Sequence, residues 1–313
     1  MDPLRVLDDT QGFFTRSQAR EFGYDDKAVS RALRLKVWHR IRRGYYTHTD
    51  VWAGLDQVSR HLVLAHSVAD SLGDRVALSG PTGCLAHGIA TWDLDLTRVH
   101  VTRLDGGAGR IEGDVVHHEG FWAPEDLRRV HGSLVLSPER CALEAGSRVR
   151  GGAKLVLLDS LLNLGLATPK ALEDQFRLMC HWPFMRSMQI PVRMADAGAQ
   201  SPGESLGRYL FWAAHLPAPL LQFTVYDERG NLVGTCDWGW PDHGLLGEFD
   251  GRIKYGRLVQ PGQSAGDVVF SEKQREDLLR EVTGWPMVRL IWEDLNRPNL
   301  TTQRMRRFLH RLG

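Results

Sequence analysis

The sequence predicts a mixed α+β chain of three domains, and three patterns carry that prediction. Residues 1–50 contain a short basic helix, a tight turn, a second helix and an alternating hairpin. Residues 51–195 mix amphipathic helices with short strands. Residues 196–313 run as helix, two strands joined by a four-residue turn, a further helix and a further strand. A length of 313 residues suits this division at roughly 100–200 residues per domain. With 42% apolar and 25% charged residues, the composition is that of an ordinary globular protein. No stretch approaches the ~20 consecutive apolar residues that cross a bilayer. The opening MDPLRVLDDTQGFF has neither the basic nor the apolar region of a secretory signal. Cys84, Cys141, Cys180 and Cys236 lie far apart with no CxxC pair, which argues against a zinc cluster or a disulfide framework. A reducing, cytoplasmic location is the expectation.

The first domain is defined by charge and capping. From Arg16 to Arg43 there are nine Lys/Arg against three acids, Glu21, Asp25 and Asp26, although the whole chain carries a net charge of only +1. Such a cluster is an electrostatic footprint for phosphate, or else a solvated basic surface. Thr15-Arg16-Ser17-Gln18 has the form of a capping box, and Gly23 ends the helix it begins. A second helix from Asp25 or Asp26 to about Leu35 turns Val29, Ala32 and Leu33 inward and Lys27, Ser30, Arg31 and Arg34 outward. Helix-turn-helix proteins place such a second helix in the major groove. Val37 to Tyr46 then alternates as a hairpin wing bearing Arg40, Arg42 and Arg43, whose contacts with phosphates or a minor groove would supply affinity rather than sequence choice. The alternative is a small helical cap on the next domain.

The runs Gly12 to Ala19 and Trp38 to Tyr46 resemble the N-terminal winged-helix domain of AbiEi-type antitoxins, over about fifty residues. The resemblance implies binding to double-stranded DNA, and beyond that autorepression within a type IV toxin–antitoxin system with a cognate toxin or operon partner.

The middle domain offers scaffold. The pattern predicts a helix over 55–75, a loop at Ser79–Gly83 leading to a short helix near Cys84–His87, strands at Arg98–Thr102 and Gly113–His118, and helices near 139–145, 153–164 and 169–178. This order resembles the α/β region that follows the winged helix in AbiEi-like chains. His117-His118 point to opposite faces of a strand. His61 and His66 miss the i, i+4 spacing of a shared metal. The run Gly106-Gly107-Ala108-Gly109 lacks phosphate-loop order. All three read as structural.

The last domain concentrates carboxylates. Ser201-Pro202-Gly203-Glu204 opens a helix with Ser as N-cap, Pro at N1 and Glu at N3, so Glu204 has a sufficient role as a cap. Val233–Trp240 and Leu245–Asp250 read as strands; pairing Trp240 with Leu245 sets Asp237 opposite Glu248 and Asp250 opposite Thr235 on one face. Cys236, Trp238 and Trp240 then share the other, apolar face. Opposed side chains lie ~4.5–5.5 Å apart at Cβ, where like charges repel. An arrangement of this kind calls for a cation or a raised pKa. Oxygen ligands point to Mg²⁺ or Mn²⁺, which activates water at a phosphodiester in metal nucleases.

Glu204, Gln222, Asp237 and Glu248-Phe249-Asp250-Gly251, with the later segments Glu272–Leu278 and Met287–Trp292, resemble the PD-(D/E)xK nuclease superfamily, in the branch like very-short-patch-repair endonucleases. The resemblance implies metal ligation by Glu204, Asp237 and Glu248, with Asp250 assisting. It departs from the motif because Asp250 stands where a lysine belongs; Lys273 is the preferred substitute, with Lys254 or Gln222 as alternatives. A long loop, Tyr255–Gly266, would face substrate, with Lys254 and Arg257 near phosphate.

The expected fold class is therefore α+β multidomain: an N-terminal winged helix-turn-helix, an α/β middle domain, and a C-terminal restriction-endonuclease-like α/β/α domain. The expected function is Mg²⁺-dependent DNA cleavage or processing. The alternative is an autorepressor and antitoxin whose nuclease fold is inactive, and a third reading is a purely structural or protein-interaction role.

Overall fold

A computed structural model describes residues 2–251 and 265–309, with the side chains of 265–273 outside that description. The chain is a mixed α+β protein, with three sheets among the described residues. It divides into two compact units, Met1–Val149 with Lys170–Gln189, and Arg150–Pro169 with Ile190–Gly313.

The first unit opens with α1 (Pro3–Gln11), which the sequence reading did not anticipate. Asp2 caps its first turn by accepting from Leu4 N–H, Pro3 sits in that turn, and Gly12 closes it at φ +81°. β1 (Phe14–Thr15), α2 (Arg16–Glu21), α3 (Asp26–Arg34), β2 (Trp38–Arg42) and β3 (Tyr45–His48) follow, with sheet order β1-β3-β2. The anticipated capping box is present: Gln18 N–H donates to Thr15 Oγ1 at 3.2 Å and Thr15 N–H donates to Gln18 Oε1 at 2.8 Å. Leu4, Phe14, Ala19, Val29, Trp38 and Tyr46 form the core of this module. His48 and Asp8, both buried, tie β3 to α1, with His48 N–H also donating to Asp8 Oδ2 at 2.9 Å.

The expected helix over 55–75 is α5 (Gln57–Leu72), begun by Asp56, which accepts from Ser59 N–H, and closed at Gly73; a short α4 (Thr49–Gly54) precedes it. β4 (Val76–Leu78) follows. The expected loop at 79–83 lies largely inside α6 (Gly80–Ala86), since Pro81 suits a first turn. β5 (Val99–Arg103), β6 (Arg110–Glu112), β7 (Val115–His118), β8 (Leu127–Val130) and β9 (Ser133–Leu136) complete a six-stranded sheet of order β6-β7-β5-β4-β9-β8. α7 (Pro138–Gly146) packs against α6.

The 153–164 helix falls elsewhere than expected. α8 (Ala153–Asn163) belongs to the second unit. Its residues Leu155 to Asp159 are all buried, and Asp159 accepts from Arg208 Nη1 at 2.6 Å. α9 (Pro169–Met179) lies mostly in the first unit, and α10 (Gln189–Met194) leads back to the second. α11 (Pro202–Ala213), β10 (Leu220–Tyr226), β11 (Leu232–Trp240), β12 (Leu245–Asp250), α12 (Ala265–Thr283), β13 (Met287–Ile291), α13 (Trp292–Asn296) and α14 (Pro298–Leu309) complete it. Its sheet has the order β10-β11-β12-β13, with β13 parallel to β12 and the other pairings antiparallel.

Two apolar clusters line this sheet. Leu210 and Phe211 of α11 and Met305 of α14 pack with Trp238, Trp240 and Leu245. Leu279 of α12 packs with Val225, Cys236, Leu246 and Met287. Phe211 meets Trp238 and Trp240 edge-on, with centroids 5.1 and 5.3 Å apart, a geometry worth about 0.5–1.5 kcal/mol per pair beyond area burial. Glycines admit these rings: a Cβ at Gly207 would lie 2.7 Å from Trp238, and one at Gly203 1.9 Å from a Phe249 carbon.

Candidate functional site

The helix–turn–helix presents its charges outward. Lys27, Ser30, Arg31 and Arg34 on α3 are exposed, as are Arg40 and Arg43 on the β2–β3 hairpin. Asp25 is spent on the α3 N-terminus, accepting from Ala28 N–H at 2.7 Å. Asp26 is held by Arg16 at 2.6 Å and by Arg20 at 3.0 Å, which holds its carboxyl below the usual range. Asp26 therefore engages the α2 arginines and Asp25 the backbone, and among the described residues Lys27, Arg31, Arg34, Arg40 and Arg43 have no ion-pair partner. Arg42 differs from expectation. It is half-buried, with its guanidinium carbon 5.9 Å from the centroid of the Tyr45 ring. Strict alternation would put it on the same face as Arg40; a break in register between Arg40 and Arg42 accompanies its different setting, while Arg40 and Arg43 are exposed.

The turn joining β11 and β12 has the expected register, Trp240 with Leu245 and Trp238 with Gly247. The faces do not continue as expected. Trp238 and Trp240 pack toward α11, whereas Cys236 packs toward α12, so the strand changes parity between 236 and 238. β10 changes at the same level: Leu221 lies with the α11 cluster and Phe223 with the α12 cluster. The pivot is Gln222, with φ +47°, opposite Asp237. A left-handed residue inside a strand interrupts strict alternation, and no simple count along the chain registers it.

The expected carboxylates take different partners, although Asp237 still lies close enough to Glu248 to raise its pKa. Asp237 Oδ2 accepts from Phe249 N–H at 2.7 Å, locking the start of its own hairpin. Glu204 is buried at the N-terminus of α11 and behaves as a cap. Its Oε2 accepts from Gln200 N–H at 3.0 Å and its own N–H donates to Ser201 Oγ at 3.3 Å. Gln222 Nε2 reaches the same Oε2 at 3.5 Å and links Glu204 to the pivot. Burial raises the Glu204 pKa, opposed by the Gln200 and Ser201 hydrogen bonds.

Glu248 is buried on the α12 face, where two arginines take it. Arg275 Nη2 donates to Oε1 at 2.5 Å and Arg289 Nη2 to Oε2 at 3.1 Å. Burial pushes the Glu248 carboxyl up, and Arg275 and then Arg289 pull it back. Asp250 lies 3.8 Å from Arg289 Nη1. Arg289 stands beside Glu248 in the parallel β12–β13 register. Arg275 and Arg289 fell within segments used to support the nuclease resemblance, but their role depends on pairings made across 27 and 41 residues.

As arranged, these acids do not fit a Mg²⁺ or Mn²⁺ ion. Among the described residues, no group of three or more His, Cys, Asp or Glu is disposed to hold a metal. The Lys273 side chain, Lys254, Arg257 and most of the 255–266 segment lie outside the described residues. The histidines read as structural make internal contacts. His61 bonds Leu96 O and Thr82 Oγ1, His66 bonds Ser133 Oγ, and His118 pairs with His100. Burial first, then neighbouring positive groups, lower both His100 and His118 to about 4.

Residues 1–47 match a family model described as transcriptional regulator, AbiEi antitoxin. The match covers the helix–turn–helix and hairpin, and speaks for that module alone. No curated protein matches the chain. Among solved structures, the crystal structure of the RV2827C protein from Mycobacterium tuberculosis is similar at 14% identity, covering 71% of this chain and 87% of that one with a TM-score of 0.38. No helix among the described residues is long and apolar enough to cross a membrane.

Proposed function

We propose that this protein binds double-stranded DNA through an N-terminal winged helix and acts as a transcriptional regulator of the AbiEi antitoxin kind. One observation carries the reading: among the described residues the exposed cations on α3 and on the hairpin lack acidic partners, while Asp25 and Asp26 are engaged elsewhere. In this arrangement α3 enters the major groove, with Lys27, Ser30, Arg31 and Arg34 toward bases and phosphates. Arg40 and Arg43 on the wing hold the phosphate backbone and set orientation rather than sequence choice. A cognate toxin encoded alongside it would be the partner of such a regulator. The second unit carries a four-stranded sheet of order β10-β11-β12-β13 with helices packed against it. With Glu248 bound by two arginines, we read that unit as scaffold rather than as a site of cleavage.

Binding of duplex DNA from the region upstream of its own reading frame tests the proposal, measured by fluorescence anisotropy across a salt series beside an unrelated duplex. Affinity should fall as salt rises, with a log–log slope near −0.9 per neutralised phosphate. Arg31→Ala with Arg34→Ala should weaken binding by roughly tenfold or more and make the slope shallower. Absent binding, or binding indifferent to salt, would remove the proposal.

A further inference from the structure

Among the described residues, the acidic patch around Glu248 is met by guanidinium groups. Glu248, Asp250 and Glu276 supply three carboxylates; Arg275, Arg280 and Arg289 supply three guanidinia. Arg275 bridges strand and helix, donating from Nη1 to Thr235 O at 2.8 Å and from Nη2 to Glu248 Oε1 at 2.5 Å. Arg289 Nη2 serves Glu248 Oε2 at 3.1 Å and Glu276 Oε2 at 2.7 Å. Glu276 is closed by Arg280 at 2.5 Å. The network thus runs from β11 through β12 and β13 to α12.

A magnesium ion needs near-ideal octahedral oxygen coordination at ~2.0–2.1 Å and sheds its waters reluctantly. Here both oxygens of the most buried acid already accept from positive donors. Those donors block the approach of an ion and cancel the negative potential that would attract it. We infer that Arg275 and Arg289 stand where these acids would otherwise hold a divalent cation, so that the cluster is a guanidinium-compensated tie across the sheet and binds no Mg²⁺ or Mn²⁺. This inference is independent of DNA binding by the first unit.

Titration of the full-length protein with Mn²⁺, read by the electron paramagnetic resonance of free ion and by the thermal unfolding midpoint, tests it. Wild type, Glu248→Gln and the double variant Arg275→Met with Arg289→Met are compared. The expected result is no bound Mn²⁺ and an unmoved midpoint in wild type, with one Mn²⁺ per chain and a raised midpoint in the double variant. Mn²⁺ bound by wild type and lost in Glu248→Gln would overturn the inference. So would a folded double variant that gains no Mn²⁺, because the arginines would then not be what keeps the ion out. Should the double variant fail to fold, wild type against Glu248→Gln still decides.

Discussion

The arginines of the two units are used in opposite ways. On α3 and the hairpin they stand exposed beside few available acids, so their favourable electrostatics await a partner. In the second unit Arg275 and Arg289 are about one-third exposed and already bonded to Glu248, so their charge is consumed within the fold. The same residue type therefore marks an interface in one place and an internal tie in the other. What separates them is the position of the nearest carboxylate. Arginine content alone would have assigned both regions to nucleic acid.

The contrast fails or sharpens at several points. Glu248→Ala should have the largest effect, because it leaves two guanidinia facing a partly buried gap. A loss of about 2–3 kcal/mol in urea unfolding is expected, below the range for fully buried pairs because both arginines keep some solvent. A change under 0.5 kcal/mol would show that this network adds nothing to the fold. Gly207→Ala tests the ring packing beneath the same sheet. Alanine ordinarily gains about 1 kcal/mol over glycine within a helix. The 2.7 Å approach of Trp238 should reverse that sign and give a loss of about 1–2 kcal/mol. Thr15→Ala removes the cap of α2 and should cost about 1 kcal/mol, measured as a lower thermal midpoint. Arg34→Ala with Arg43→Ala should be the mildest in stability, within about 0.5 kcal/mol, while duplex binding weakens. If that pair destabilises the protein as much as Glu248→Ala, outward and inward arginines are not distinct.

Much of this was legible along the chain where causes are local. The Thr15–Gln18 box, the Asp25 start of α3 and the Ser201–Glu204 cap each depend on groups within four residues of one another. The Trp240–Leu245 register follows from a short turn that leaves little choice. α1 escaped although Asp2-Pro3 and Gly12 are a local cap and stop, because its nine residues carry few apolar positions to mark a period. The short α4 (Thr49–Gly54) escaped because six residues show too little apolar periodicity to register.

The sequence by itself determined where the N-terminal helices begin, which cations they expose and how the β11–β12 turn closes, since short-range hydrogen bonding and sterics specify these. Only the tertiary structure decided what Glu248 bonds, on which face Cys236 lies and to which unit α8 belongs. Those outcomes rest on a left-handed Gln222 and on partners tens of residues distant, and the free energy of such contacts exists only once the layers have met.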